Sequence, residues 1–251
     1  MKEIEVLKKS PLADVAALPL QLPETVLTWG KTLVVAPHPD DESLGCGGAI
    51  ALLREYEIEV KVLVLSDGTL SHPNSVKFSP EKLRDLRERE MIDALAHLGV
   101  PATAVEFFRY KDRSVPNETS ADFENAVAQC RDYLEKIIPQ TILVPWRRDP
   151  HPDHRAAYSL IKAASEKRTR IIEYPIWLWE IAESADAPRF DEVSAWRLNI
   201  EKSFEKKQRA IRAHVSQTTD LIDDDPHAFR LTEDILANFA ESFEVYLEEK
   251  R

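Results

Sequence analysis

Between residues 31 and 173 the chain alternates strand-like and helix-like segments, and this alternation constrains the fold more than any other feature. The strand-like segments are short runs of apolar and β-branched residues, typical of strands buried on both faces, at residues 32–36, 59–65, 105–108, 141–144 and 170–173. The clearest helix covers residues 79–98, with Ser79 as its cap, Pro80 in its first turn and Gly99 after its end. Repeated βα units predict an α/β fold with a Rossmann-like, mostly parallel sheet and helices on both faces.

The chain shows no internal repeat and no long linker, so we expect its 251 residues to form a single domain. Residues 1–30 read as a preamble in which Pro11, Pro19 and Pro23 interrupt regular structure. From about residue 180 to 251 we expect a helical C-terminal extension that ends in a charged, solvated helix over residues 241–251.

Charge and apolar patterning exclude two classes of partner. Lys and Arg total 33 against 44 Asp and Glu, and a formal net charge of −11 repels nucleic-acid phosphates and anionic lipids. No apolar run is long enough to span a bilayer, and the N-terminus lacks the apolar core of a signal peptide. Cys46 and Cys130 lie too far apart to suggest a disulfide framework. We therefore expect a soluble, cytoplasmic protein without a nucleic-acid partner; the oligomeric state stays open, a homo-oligomer included.

Two blocks that mix histidine with carboxylates follow predicted strands. PHPDDE, residues 37–42, comes after the first strand, and PWRRDPHPDH, residues 145–154, comes after the fourth. In open α/β sheets ligands bind at the loops that follow the carboxyl ends of the strands. We therefore expect the active site at that edge of the sheet.

These blocks contain a plausible ligand set for a metal ion. His38 and Asp41 are three residues apart, so one turn of backbone can direct both at a single ion, and His154 could supply a third ligand. Asp40 would remain free to accept a proton from a bound water, and His151 could face the same site. Either block alone would be better explained as a turn or a helix cap, but the two together favour a metal site.

The same blocks resemble the paired signatures of a known family. VVAPHPDDESLGCGG and PHPDHRAA are similar to the motifs of the PIG-L/LmbE family of zinc-dependent N-deacetylases. Further matching positions lie between the blocks and after them, namely Ser66-Asp67-Gly68, Arg87, Glu90, Ala94, Leu98, Gly99, Tyr110, Asp112 and the segment AHVSQ over 213–217. The resemblance therefore extends from about residue 32 to residue 217.

The resemblance implies a metal-dependent hydrolase that removes an acetyl group from an N-acetylated amino sugar, such as an N-acetylglucosamine conjugate. His38, Asp41 and His154 would bind one Zn²⁺ per chain, although the same donors suit another divalent ion such as Fe²⁺. The small-molecule substrate would be a free sugar or a glycoconjugate.

The resemblance also implies catalytic and substrate-binding roles. Asp40 would be the general base on the zinc-bound water that attacks the amide. His151 would protonate the leaving amine or stabilise the oxyanion, and Asp153 would hold its imidazole and favour imidazolium. Arg87 and Asp112 would contact the substrate.

Several positions leave alternatives open. Asp149 stands where some relatives have a tyrosine, which argues against a tyrosine-assisted oxyanion hole. Arg113 replaces a common glycine and would either favour an acidic substrate group or be a solvated surface residue. Trp177 and Trp179 would share one strand face, in the core or against a sugar ring. His214 would either reach the active site or cap local structure.

Three other functions compete with deacetylation. The same scaffold could serve as an amidase on another N-acyl or thiol conjugate, or as a zinc-dependent hydratase of an unsaturated acid. A metal-stabilised binding module without turnover is the third. Release of acetate separates the deacetylase from the hydratase, which releases none, and from the binding module.

Overall fold

The computed structural model describes residues 5–250 of the chain, and the strands within them form one eight-stranded sheet. In chain order the strands are β1 (Leu20–Gln21), β2 (Thr32–Ala36), β3 (Val60–Ser66), β4 (Val105–Tyr110), β5 (Thr141–Pro145), β6 (Arg170–Tyr174), β7 (Val193–Asn199) and β8 (Phe243–Glu249). The order across the sheet is β1-β7-β8-β6-β5-β2-β3-β4. All neighbouring strands are parallel except that β8 runs antiparallel to β6 and β7, so the mostly parallel α/β sheet is confirmed.

Helices cover both faces of the sheet. They are α1 (Asp41–Glu55), α2 (Pro80–His97), α3 (Phe123–Ile137), α4 (Pro152–Ala164), α5 (Phe204–Ala213), α6 (Val215–Thr218) and α7 (Glu233–Ala237). Successive strand side chains point to opposite faces, so Val34 packs in the cluster that includes α1, α2 and α5, whereas Leu33 packs with α3 and α4. Ser79 caps α2 as the sequence predicts, because its side chain accepts from the Lys82 main-chain N–H.

Strand order places the two histidine-containing blocks side by side. β2 pairs with β3 on one side and with β5 on the other, and the chain reaches β3 and β4 before it returns to β5 and β6. The connections after β2 and β5 therefore leave the sheet in opposite directions and open a crevice at the carboxyl ends of the strands.

The first turns of α1 pack closely against neighbouring elements because two glycines lie there. A β-carbon at Gly45 would lie 2.3 Å from the Tyr174 ring, and one at Gly48 would lie 2.6 Å from Ile200. The glycines therefore fix how α1 sits on the sheet.

The predicted helical character of residues 180–251 is wrong. This segment contains α5, α6 and α7, but it also contributes β7 and β8 to the sheet, and residues 243–249 form a strand where a charged helix was predicted. The apolar residues Phe243, Val245 and Leu247 occupy every second position, which is the period of a strand. The glutamates of this segment favour a helix, and this strand pattern was therefore missed. Glu244 is buried in β8, where it pairs with Lys207 at 2.9 Å and accepts the main-chain N–H groups of Gly48 and Ala49 in α1.

The described part of the preamble is short and irregular. It forms 3₁₀ turns at Glu5–Lys9, Val15–Ala17 and Pro23–Thr28, and β1 pairs with β7 at the edge of the sheet. No helix within residues 5–250 is long and apolar enough to cross a bilayer. The single-domain organisation and the cytoplasmic location stay predictions.

Candidate active site

Both blocks lie in loops that enter a helix. His38 follows β2, its main-chain N–H donates to Asp41 Oδ2 at 2.9 Å, and Asp41 begins α1. His151 follows β5 and caps α4, which carries His154 in its first turn. Because β2 and β5 are neighbours, the helix starts bring residues more than 100 positions apart in sequence into contact.

Three side chains converge as ligands of one ion would. Asp41 Oδ2 lies 3.2 Å from His38 Nδ1 and 3.2 Å from His154 Nε2, and all three residues are buried. Neither ring nitrogen of His154 makes a well-directed hydrogen bond, although both face carboxylate oxygens within 3.3 Å. Buried ring nitrogens of His154 that have no hydrogen bond, close to the Asp41 carboxylate, fit a divalent metal held at this position.

The electrostatics of this group favour positive charge. Burial lowers the pKa of His154, but the charges of Asp41 and Asp149 outweigh it and raise that pKa to about 9. Burial also opposes ionisation of Asp41, yet His154 and His38 hold the pKa of its carboxyl well below the ordinary value. A metal ion would supply this positive charge in place of the protons on the two histidines. The electrostatic environment therefore suits the same ion that the donor atoms suit.

The opposite edge of His38 faces two further carboxylates. His38 Nε2 lies 3.3 Å from Asp112 Oδ1 and 3.2 Å from Asp153 Oδ2. One donor atom from each of His38, Asp112 and Asp153 lies within 4.8 Å of the other two, as do donor atoms of His38, His151 and His154, so either group could also hold an ion. However, Asp112 already accepts the Leu70 main-chain N–H and Asp153 accepts that of Arg113. The two carboxylates therefore serve better to orient the His38 ring with Nδ1 towards Asp41.

The interaction predicted between the Asp153 carboxylate and the His151 ring is absent from the described contacts. The carboxylate lies against His38, and it is the main-chain N–H of Asp153 that donates to His151 Nδ1, at 3.2 Å. Burial and the positive charges of His154 and His38 lower the pKa of His151 to about 2. This lowered pKa disfavours the imidazolium that the resemblance implies, and acceptance at Nδ1 would put the proton of a neutral ring on Nε2; the role of His151 stays a prediction.

Asp40 is held in a strained conformation beside the ligands. Its φ of 138° lies in the region that favours glycine, and three contacts maintain it. Its N–H donates to Glu42 Oε2 at 3.0 Å, and Arg87 Nη2 donates both to its Oδ2 at 2.9 Å and to the Pro39 carbonyl. Burial raises the pKa of Asp40 to about 6, although Arg87 opposes this.

The two predicted substrate contacts lie at the site but are engaged with protein groups. Arg87 is buried and donates to Asp40 and to the carbonyls of Pro39 and Gly68. Asp112 faces His38 and accepts from Leu70. These contacts support a positioning role: Arg87 positions the Asp40 loop, and Asp112 positions His38. Substrate binding by either residue stays a prediction.

Asp149 contributes to the site in a way that the sequence did not indicate, whereas His214 was left open as a residue that could reach the site. Asp149, fully buried, places Oδ1 3.3 Å from His154 Nδ1 and accepts the His151 N–H, while Oδ2 accepts those of Ile176 and Trp177. His214 reaches Glu42 Oε1 at 3.1 Å from the C-terminal part of the chain. A carboxylate inside a ligand block was the one local signal for Asp149.

A cavity of about 270 Å³ opens from this cluster, far more room than an ion and a water molecule require. His38, Asp40, Asp41, Asp112 and His151 line its inner end. Trp177 also lines it, in a 3₁₀ turn over Trp177–Trp179 where the sequence suggested a strand. The Trp177 ring stacks on His151 with centroids 6.4 Å apart, whereas Trp179 is buried in the core.

Comparison with known proteins identifies the family. The family model described as PIG-L: GlcNAc-PI de-N-acetylase matches residues 33–165, which is more than half of the chain and includes both blocks. The chain belongs to the PIG-L family. Its PIG-L segment supplies β2 to β5, α1 to α4 and all three candidate ligands, and the resemblance found in the sequence is confirmed.

The PIG-L relatives include enzymes named for deacetylation. A probable N-acetyl-alpha-D-glucosaminyl L-malate deacetylase 2 from Bacillus subtilis is 27% identical over 85% of this chain and 95% of its own length. A 1D-myo-inositol 2-acetamido-2-deoxy-alpha-D-glucopyranoside deacetylase from Mycobacteroides abscessus is 24% identical over 82% and 87%. The N,N'-diacetylchitobiose deacetylase structure from Pyrococcus horikoshii, 22% identical, superimposes with a TM-score of 0.63 over 87% of this chain and 79% of that one, which supports the Rossmann-like fold.

Proposed function

We propose that this protein is a zinc-dependent N-deacetylase that hydrolyses the acetamide of an N-acetylglucosamine conjugate. The observation that carries the proposal is the convergence of His38 Nδ1, Asp41 Oδ2 and His154 Nε2 at the inner end of a cavity that His38, Asp40, Asp41 and His151 line. Family relatives are named deacetylases of N-acetylglucosaminyl compounds, which supports the same substrate class.

His38, Asp41 and His154 would hold one metal ion, with two nitrogens and one oxygen as donors. Such a set suits zinc, and an ion bound there would polarise the amide carbonyl and acidify a water molecule. Asp112 and Asp153 contact the His38 ring, and Asp149 faces the His154 ring. These carboxylates lie at the ring nitrogens that would not bind the ion, where they would orient both rings.

Asp40 takes the proton of the attacking water. Its Oδ2 is occupied by Arg87 Nη2, which fixes the plane of the carboxylate and leaves Oδ1 to act as the base. The strained backbone directs this side chain differently from that of Asp41, so adjacent aspartates perform different tasks. A pKa of about 6 places the base close to neutrality, which suits general base catalysis.

His151 acts from the other side of the cavity. Because Nδ1 accepts the Asp153 N–H, the neutral ring presents Nε2–H to the substrate. This hydrogen can donate to the carbonyl oxygen as negative charge develops there, and Nε2 can transfer its proton only if the ring regains one. Of the two roles considered from the sequence, stabilisation of the oxyanion therefore fits the geometry better.

The test is release of acetate from a panel of N-acetylglucosamine conjugates by zinc-loaded protein, followed by mass spectrometry. We expect loss of an acetyl group, abolished in Asp40→Asn at equal zinc content and unchanged in the surface control Asp191→Asn. Hydration of an unsaturated acid without acetate release would establish the hydratase alternative. Cleavage confined to other N-acyl or thiol conjugates would establish the amidase alternative.

A further inference from the structure

Away from the metal ligands, six apolar side chains form one continuous part of the cavity lining. We call this surface the apolar wall; it consists of Trp177, Ile181, Phe229, Leu231, Ile235 and Phe239. Leu231 and Phe239 are buried, whereas Ile181 is 60% exposed at the rim. The wall residues lie in the segments that follow β6 and α6, in α7, and two positions after the end of α7. All of them lie outside residues 33–165, which the family model matches.

The apolar wall is continuous with the reacting end of the cavity. The His151 ring stacks on Trp177 with centroids 6.4 Å apart, and Trp177 contacts Phe229 edge-to-face at 5.3 Å. The amide must lie within reach of both His151 and Asp40. The part of the substrate that extends past His151 therefore passes along Trp177 and reaches Phe229.

Charges around this part of the cavity do not favour an anionic group. Among the described residues that line the cavity, Arg87 and Arg113 are the arginines, and no lysine lines it. Arg87 is committed to Asp40 and to two carbonyls. Glu180 adds a carboxylate that accepts from Asn238 Nδ2 at 2.6 Å. An acidic group would meet a cavity lining with one arginine that no described contact commits to the protein and with the Glu180 carboxylate, whereas an apolar group would cover apolar side chains.

We propose that the amine side of the substrate carries an apolar aglycone, an alkyl or aryl group, bound against the apolar wall. This inference rests on the proposed deacetylase function and specifies its substrate class. The sugar ring lies beside Trp177, and the aglycone covers Phe229 and Ile235. Apolar contacts made equally before and during the reaction lower KM with little effect on kcat.

The experiment compares methyl, octyl and L-malyl glycosides of N-acetylglucosamine as substrates of the zinc-loaded enzyme. We expect kcat/KM for the octyl glycoside to exceed that for the methyl glycoside by roughly 10- to 100-fold, from burial of a few methylene groups, mostly through KM. The malyl glycoside should fall below the octyl one. A malyl preference that Arg113→Ala removes would overturn the proposal and assign the cavity to an acidic aglycone.

Phe229→Ser tests the wall directly, and Phe190→Ser is its matched control because Phe190 is 62% exposed and does not line the cavity. We expect the octyl-to-methyl ratio of kcat/KM to fall roughly tenfold in Phe229→Ser and to keep its wild-type value in Phe190→Ser. An unchanged ratio in Phe229→Ser would refute the assignment of the aglycone to this wall.

A binding measurement separates this proposal from the proposed function. Octyl glucoside has no amide, so its binding, followed by calorimetry below its micelle concentration, does not depend on deacetylation. Binding that Phe229→Ser weakens, together with no acetate release from any glycoside, would support the apolar wall as a ligand site and refute the deacetylase. Equal binding by wild type and Phe229→Ser would refute the wall, whatever the activity.

Discussion

Asp149→Asn tests the carboxylate behind the candidate ligand His154. In the structure Asp149 is fully buried and uses both oxygens: Oδ2 accepts the main-chain N–H groups of Ile176 and Trp177, while Oδ1 accepts that of His151 and faces His154 Nδ1 at 3.3 Å. This arrangement favours a proton on Nδ1, which leaves Nε2 free to bind an ion.

The asparagine amide cannot reproduce this pattern. If its oxygen keeps the bonds to Ile176 and Trp177, its NH₂ group faces the His151 N–H and His154 Nδ1. One buried donor then loses its acceptor, which costs about 1–3 kcal/mol of folding stability. The His154 proton also moves to Nε2, where an ion must displace it, and we expect metal affinity to fall by roughly 10–100-fold.

The assay is competition for zinc with a chromophoric chelator, with thermal unfolding of the metal-free protein as the second readout. A 10–100-fold weaker affinity corresponds to about 1.4–2.8 kcal/mol of binding free energy. Asp191→Asn is the matched control, since Asp191 is exposed and lies far from the ligands in sequence. Wild-type zinc affinity in Asp149→Asn would refute the assignment of Asp149 to His154.

Three further results are expected. His154→Ala should lose metal and activity, whereas His151→Ala should keep the metal and lose about 10²–10⁴-fold in rate; equal metal loss would mean that these roles are misassigned. Asp40→Asn should keep its zinc, measured by elemental analysis, and lose most turnover, and a near-normal rate would place the base elsewhere. Burial raises the pKa of Cys130 to about 12 and that of Cys46 well above the ordinary value. Neither thiol should therefore react with a disulfide reagent at pH 8 until the protein is denatured. Reaction of the native protein would contradict this burial.

The central fold could be predicted from sequence because its signals are local. Short β-branched runs that alternate with helix-like segments predict β2 to β6 and the helix α2 with its Ser79 cap, and the structure confirms these elements. The C-terminal part gave no such signal. β8 is rich in glutamate, and its strand conformation is stabilised by pairing with β6 and β7 and by burial of Glu244 against Lys207. Residue propensity alone therefore favoured a helix where the chain forms a strand.

For the site, the sequence by itself determined which chemical groups are present. Two histidine-containing loops follow the carboxyl ends of strands, and they carry His38, Asp41 and His154 as candidate ligands and Asp40 as a candidate base. Residue type and chain order are sufficient for that inference, because parallel strands end at one edge of the sheet. Only the tertiary structure decided which groups face one another. Asp153 lies against His38 across more than 100 residues of chain and not against the His151 ring, and distant segments form the apolar wall. Side-chain direction and burial set those contacts and the charges they favour, and both arise when the chain packs.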